Sequence, residues 1–118
     1  MTQLLKTSKD QMKVWRHHLH QHPETEFSVF DTAALVVQKL TEFGLVVHQG
    51  IGKIGIVGQL TKGTSTQAIG LRADMDALAI QEQNEFSHKS LNDGCMHACG
   101  HDGHTSMLLG AAQELAAH

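Results

Sequence analysis

The chain has 118 residues, 41% hydrophobic and 18% charged, the proportions of one globular domain with a modest core rather than of a disordered chain. Net charge is −3 with the histidines neutral, and Lys and Arg gather on no one face, which argues against nucleic acid as a partner. Aromatic residues make up only 4% and tyrosine is absent, so a base-stacking or carbohydrate platform is not expected.

The opening MTQLLKTSKDQMKVWRHH has no long apolar core and no small-residue cleavage site, so no secretory signal is expected. No stretch approaches the roughly 18 apolar residues of a membrane span. Cys95 and Cys99, four apart, suit shared placement around a metal better than a disulfide, and the chain reads as cytoplasmic.

Taken in order, Ser8 to about His22 reads as a helix: Ser8 and Gln11 fit a capping box, Met12, Trp15 and Leu19 share a face, and Pro23 stops it. A second helix is predicted from about Ser28 to Phe43, with Phe30, Ala33, Ala34, Val37, Leu40 and Phe43 as its stripe and Gly44 at its end. Three short β-rich runs follow, Leu45–His48, Ile54–Leu60 and Gln67–Ala73, separated by glycines and turn residues. Gly50 to Gly55 matches GxGxxG, but a β-like run follows it, so it reads as a hairpin turn rather than a dinucleotide site. A last helix is predicted from about Gly103, burying Met107, Leu108, Ala111, Ala112 and Leu115. The fold class is α/β, with helices packed on a mixed sheet. The chain stops just after that helix, where an open sheet normally adds a strand, and so reads as a domain cut short.

The residues from Cys95 to His104, CMHACGHDGH, concentrate thiolate, imidazole and carboxylate, the side chains that bind borderline divalent metals. Cys99 and His101 lie two apart, so in an extended segment both face one ion, and Gly100 lets the backbone bend close to it. Asp102 is placed to cap the following helix by accepting the N–H of Thr105. His104 can ligate, support a ligand or face substrate, and His97 suits hydrogen bonding better than ligation. Asp74 and Asp76 end the third β-run, a place where open α/β sheets build their sites. Such a pair can hold a ligand histidine or simply mark a turn; Asp76 is favoured for holding the histidine, and Arg72 is read as an ion-pair partner for either. His17, His18, His20 and His22 are read as structural. His18 and His22 face together at i, i+4, but no acidic partner lies at helical spacing, and histidines suit a helix C-terminus in any case.

Three segments occur in order: His20-Gln21-His22-Pro23-Glu24, Leu71-Arg72-Ala73-Asp74-Met75-Asp76-Ala77-Leu78, and Met96 to His104. Together they resemble the N-acyl-amino-acid amidohydrolase family, which includes hippurate hydrolases, N-acetyl-diaminopimelate deacetylases and plant auxin-conjugate hydrolases. The resemblance implies residues 1–118 as the N-terminal portion of a co-catalytic zinc-peptidase-type domain. Its cofactors are two divalent ions (Zn, Mn, Co or Ni), and a bridging water or hydroxide attacks the amide carbonyl of an N-acyl amino acid or small peptide. By the same resemblance Cys99 is the bridging ligand, His101 ligates one metal and Asp76 is the catalytic-site aspartate that steadies the centre.

The family has proline where this chain has Ala79, and other residues at Cys95. Its paired glutamates, two further histidine ligands and lid or dimerisation domain find no counterpart in the 118 residues, so little or no turnover is expected of this stretch alone. Neighbours missing around the last helix and the sheet edge make homo-oligomers an expectation. Two alternatives compete: a non-catalytic module in which Cys95, Cys99, His101 and His104 close around one zinc, and a truncated product without function.

Overall fold

The computed structural model describes residues 2–118, with side chains from Ser8 onward. Met1 and the side chains of residues 2–7, part of the opening stretch read as lacking a signal, lie outside the described residues. In chain order the elements are α1 (Thr2–Gln21), α2 (Phe30–Glu42), β1 (Val46–Ile51), β2 (Gly55–Gln59) and α3 (His101–Ala117).

α1 begins before Ser8, so the expected capping box is not a cap. Ser8 is buried mid-helix, and its hydroxyl donates to Glu114 of α3. Pro23 has no N–H to continue the ladder, and the helix closes at Gln21 as expected. α2 has no side-chain N-cap of its own. Glu24 fills that role from outside: its carboxylate accepts the N–H of Asp31 at 3.0 Å, and the N–H and hydroxyl of Thr32 at 2.6 Å each. The buried stripe of α2 is Thr32, Val36 and Leu40, whereas Phe30, placed in the stripe from sequence, is exposed.

β1 and β2 form an antiparallel hairpin, pairing Val46 with Gln59, Val47 with Gly58 and His48 with Val57, with an irregularity between His48 and Ile51. The literal GxGxxG is its turn, as expected. Gly55 pairs with Ile51, and a Cβ there would run into the Ile51 carbonyl oxygen, a backbone atom with no room to move. Gly55→Ala is expected to cost about 1–3 kcal/mol by the cost typical of overpacking, read as a lower urea midpoint at unchanged m-value.

The core joins Trp15 of α1, Val36 and Leu40 of α2 and Leu109 of α3, with Met12, Phe43, Leu45, Val47, Ile56, Met75 and Ala112 packed around it. α3 turns inward a side only partly the one its sequence suggested: Ala112 packs at the core as expected, with Leu108 and Ala111 half-buried. Thr105, Ser106, Leu109 and Gly110 are buried, while Met107 and Leu115 are exposed. Close approach to α1 is the reason: Gly110 lies against Met12 and Gly103 against the Arg16 side chain, places where a larger residue would hold the helices apart.

The third β-run forms no strand. Residues 60–76 belong to no helix or strand, with Ile69 and Leu71 exposed, because no neighbouring strand among the described residues takes up their backbone groups. The α/β class holds, but the mixed sheet reduces to the hairpin and two isolated bridges, Thr25 with Ala77 in parallel and Leu78 with Met96 antiparallel. Those bridges position the site, since they bring the segment after Asp76 beside the segment before Cys99. Among the described residues no helix is long and apolar enough to cross a membrane.

Candidate metal centre

Two chain segments meet at the start of α3. Ala77 N–H donates to the Glu24 carbonyl at 2.7 Å, and Leu78 and Met96 exchange backbone hydrogen bonds of 2.9 and 3.0 Å. The Thr105 hydroxyl donates to the Asp74 carbonyl at 2.9 Å, tying the aspartate loop to the first turns of the helix. Gly100, at φ +83°, adopts the left-handed conformation that lets the chain turn into α3, which begins at His101 rather than near Gly103. That turn overrides the extended geometry expected for Cys99 and His101, whose side chains therefore do not follow the alternation of a strand.

His101 Nδ1 lies 2.8 Å from the Asp76 carbonyl and 3.0 Å from Asp76 Oδ1. A carbonyl can only accept, so Nδ1 carries the proton. Nε2 then faces Asp74 Oδ2 at 3.4 Å. His104 Nδ1 sits 2.8 Å from Asp74 Oδ1, and that hydrogen bond holds the Asp74 carboxyl below its ordinary pKa. Arg72, largely exposed, lies 3.7 Å from Asp74 Oδ2, the ion pair anticipated for it.

Ligand atoms of Asp74, His101 and His104 all fall within 4.8 Å of one another. In neutral His101 the Nε2 lone pair and the Asp74 carboxylate are two acceptors pointed at each other. That arrangement is relieved by a shared proton or a shared cation, so the donor set fits a divalent ion that accepts imidazole and carboxylate. Sequence reasoning paired Asp74 with Asp76 at the end of the β-run but gave the histidine-holding role to Asp76 alone. Cys99 is exposed and stands outside this group.

Cys95 is turned elsewhere. Its Sγ donates to the Pro23 carbonyl at 3.4 Å, and burial, aided by the Glu24 charge, raises its thiol pKa, which disfavours the thiolate a metal needs. The Cys95–Cys99–His101–His104 tetrad therefore gains no support from the geometry. His97 is buried, and neither ring nitrogen has a partner among the described residues. Burial lowers its pKa.

Beneath the centre lies a buried ionic chain. His20 Nδ1 is 2.8 Å from Asp102 Oδ2, and its Nε2 is 2.9 Å from Glu82 Oε2. Asp102 is the second residue of α3, not its cap. One oxygen accepts the Gly103 N–H at 2.8 Å, and the other faces His20 and, at 3.5 Å, Arg16. Glu82 also accepts from Asn84 at 2.9 Å and from the Ser90 N–H at 2.6 Å.

Burial alone would lower the His20 pKa, but its hydrogen bonds to Glu82 and Asp102 outweigh it and raise the value. Burial likewise opposes ionisation of Glu82, yet the bonds from Asn84, His20 and Ser90 bring it down to about 2. Asp102 is lowered too, its burial outweighed chiefly by His20. The raised imidazole stabilises the fold below its unfolded value of 6.5, and that contribution fades as pH climbs through the higher folded value. The lowered Glu82 stabilises above its unfolded value of 4.5, and that contribution fades as pH falls toward 2. Urea midpoints measured across pH are expected to peak between these limits and decline on both sides; a flat profile contradicts the charged chain.

The fold and site define an α/β chain with a candidate cation centre where a loop meets a helix N-terminus, and the comparisons show which family it resembles. Residues 70–118 match the sequence model of Peptidase family M20/M25/M40. Hippurate hydrolase of Campylobacter jejuni is 56% identical over 101 residues, 86% of this chain and 26% of that protein. N-acyl-L-amino acid amidohydrolase of Geobacillus stearothermophilus is 46% identical over 105 residues, 89% of this chain and 28% of that protein. The crystal structure of the Bacillus subtilis YXEP protein, described as a dinuclear metal binding peptidase from the M20 family, matches with a TM-score of 0.90 at 34% identity, covering 95% of this chain and 32% of that one. The resemblance to M20 amidohydrolases and peptidases therefore extends over most of the chain and over its fold, while the chain spans about a quarter to a third of the length of these relatives.

Proposed function

We propose that this chain is the N-terminal portion of the catalytic domain of a metal-dependent amidohydrolase that cleaves the amide bond of N-acyl amino acids or small peptides. The observation that carries the reading is the convergence of Asp74, His101 and His104, with Asp76 fixing the His101 tautomer from behind. In this reading His101 and Cys99 are metal ligands, as the family resemblance implies, with Asp74 and His104 close enough to share the ion or orient its ligands. Divalent ions held there supply Lewis-acid polarisation of a carbonyl and acidify water. Asp76 keeps the imidazole oriented, and the buried His20–Asp102 pair anchors the helical turn that carries it. Homo-oligomers belong to the same proposal, supported by the exposed Ile69 and Leu71; sedimentation velocity of the whole protein at rising concentration reads them, and a strict monomer removes that part.

The test uses the whole protein: metal content by elemental analysis, and release of free amino acid from benzoylglycine and N-acetyl amino acids before and after chelation. Loss of hydrolysis on chelation and recovery with Zn, Mn, Co or Ni is the expected result. A protein that holds no divalent ion and cleaves none of these substrates overturns it. Cys95→Ser is expected to leave metal content unchanged, whereas a single-zinc module would lose its ion.

A further inference from the structure

We propose that His18 and His22 form a second site, for a divalent first-row transition cation, at the C-terminal end of α1 and apart from the Asp74–His101–His104 group. The two residues are one helical turn apart and both exposed. Their rings stand with centroids 4.5 Å apart and planes inclined by 32°, near enough for one ion to draw a nitrogen from each. Stacking alone would not need the next feature. His22 Nδ1 lies 2.8 Å from the His18 carbonyl, which can only accept, so the proton is on Nδ1 and the Nε2 lone pair is left free. A backbone carbonyl fixing one ring nitrogen so that the other can ligate is the support that metal-binding histidines commonly have.

Two surroundings favour a cation there. The end of α1 carries the negative pole of the helix dipole. Partial withdrawal of the otherwise exposed His18 from water, with the neighbouring His22, lowers its pKa from 6.5, which favours the neutral ring that ligates. The donor set is two imidazoles with no carboxylate, which selects Cu(II), Ni(II) or Zn(II) over Mg(II) or Ca(II). The remaining coordination positions face solvent and are left to water or to an external ligand. The proposal does not depend on the amidohydrolase reading, since none of these residues belongs to the other centre.

Calorimetric titration with Ni(II) alone decides it, on the whole protein and on its His18→Ala, His22→Ala and His101→Ala variants. Both α1 substitutions lie on exposed side chains, so the fold is expected to survive them. Each is expected to weaken one Ni(II) site at least ten-fold, a site that His101→Ala retains. Broadening of the His18 and His22 ring proton signals by Ni(II), with Mg(II) without effect, is the second expected readout. Unchanged Ni(II) stoichiometry and affinity in both α1 variants overturns the proposal, and so does loss of all Ni(II) binding in His101→Ala.

Discussion

His20→Ala is expected to destabilise the chain by about 3–5 kcal/mol, the loss typical of removing one partner from a buried ionic pair. His20 is buried, and it bridges Asp102 and Glu82, two carboxylates almost without solvent contact. Truncation leaves both charges inside with their common partner gone. Arg16, at 3.5 Å and more than half exposed, is the nearest cation left to Asp102, and Glu82 keeps only Asn84 and the Ser90 N–H. Since small domains are stable by only about 5–15 kcal/mol, such a loss takes much of the margin. Urea unfolding followed by far-UV circular dichroism measures it. An unfolding free energy within about 0.5 kcal/mol of the parent's, the range of an ordinary surface change, contradicts the account. The same variant is expected to flatten the alkaline limb of the pH–stability profile, because that limb belongs to the imidazole.

His101→Ala in the whole protein is expected to weaken metal binding by more than Asp76→Ala does, and Asp76→Ala by about 10–100-fold, the usual cost of losing the group that orients a ligand histidine. The order follows from the geometry. Asp76 touches His101 through Nδ1, so its side chain can be lost while the ring keeps the hydrogen bond of 2.8 Å to the Asp76 carbonyl. Removing His101 takes away the nitrogen itself, and with it the imidazole facing Asp74 at 3.4 Å. Competition with a chromophoric chelator ranks the three proteins. If His101→Ala holds metal as tightly as the parent, the centre is not where the geometry places it. If Asp76→Ala matches His101→Ala, Asp76 does more than position the ring.

Much of the helical framework was legible because its signals are local. Pro23 and Gly44 mark where α1 and α2 end, and Trp15, Leu19 and Leu40 point inward as their periodicity required. The GxGxxG turn was readable from the β-like run behind it. Errors arose where a neighbour distant in sequence decided the outcome. The strand expected at Gln67–Ala73 needs a partner to accept its hydrogen bonds, and composition cannot supply one. On α3, apolarity pointed to Met107 and Leu115, while closeness to α1 favoured Ser106, Leu109 and Gly110.

The candidate centre divides in the same way. His101 and Asp76 could be singled out because chemistry-bearing side chains are concentrated in a few residues, whereas Cys99, singled out with them, stands outside the group that the structure gathers. Asp74 was noticed beside Asp76, but its role was not legible, since an aspartate at the end of a β-run is ordinary until His104, 30 residues on, is seen 2.8 Å away. His20 was read as lacking an acidic partner, and so it does within its own helix. Glu82 and Asp102 reach it from 62 and 82 residues along the chain.

By itself, then, the sequence determined the helices, the hairpin and which kinds of side chain the candidate centre gathers, since periodicity, turn residues and side-chain type act within a few residues. Which carboxylate faces which imidazole, which side of α3 is buried and whether a β-run becomes a strand were decided only by the tertiary structure. Those outcomes depend on distances between atoms far apart in the chain, and packing alone sets such distances.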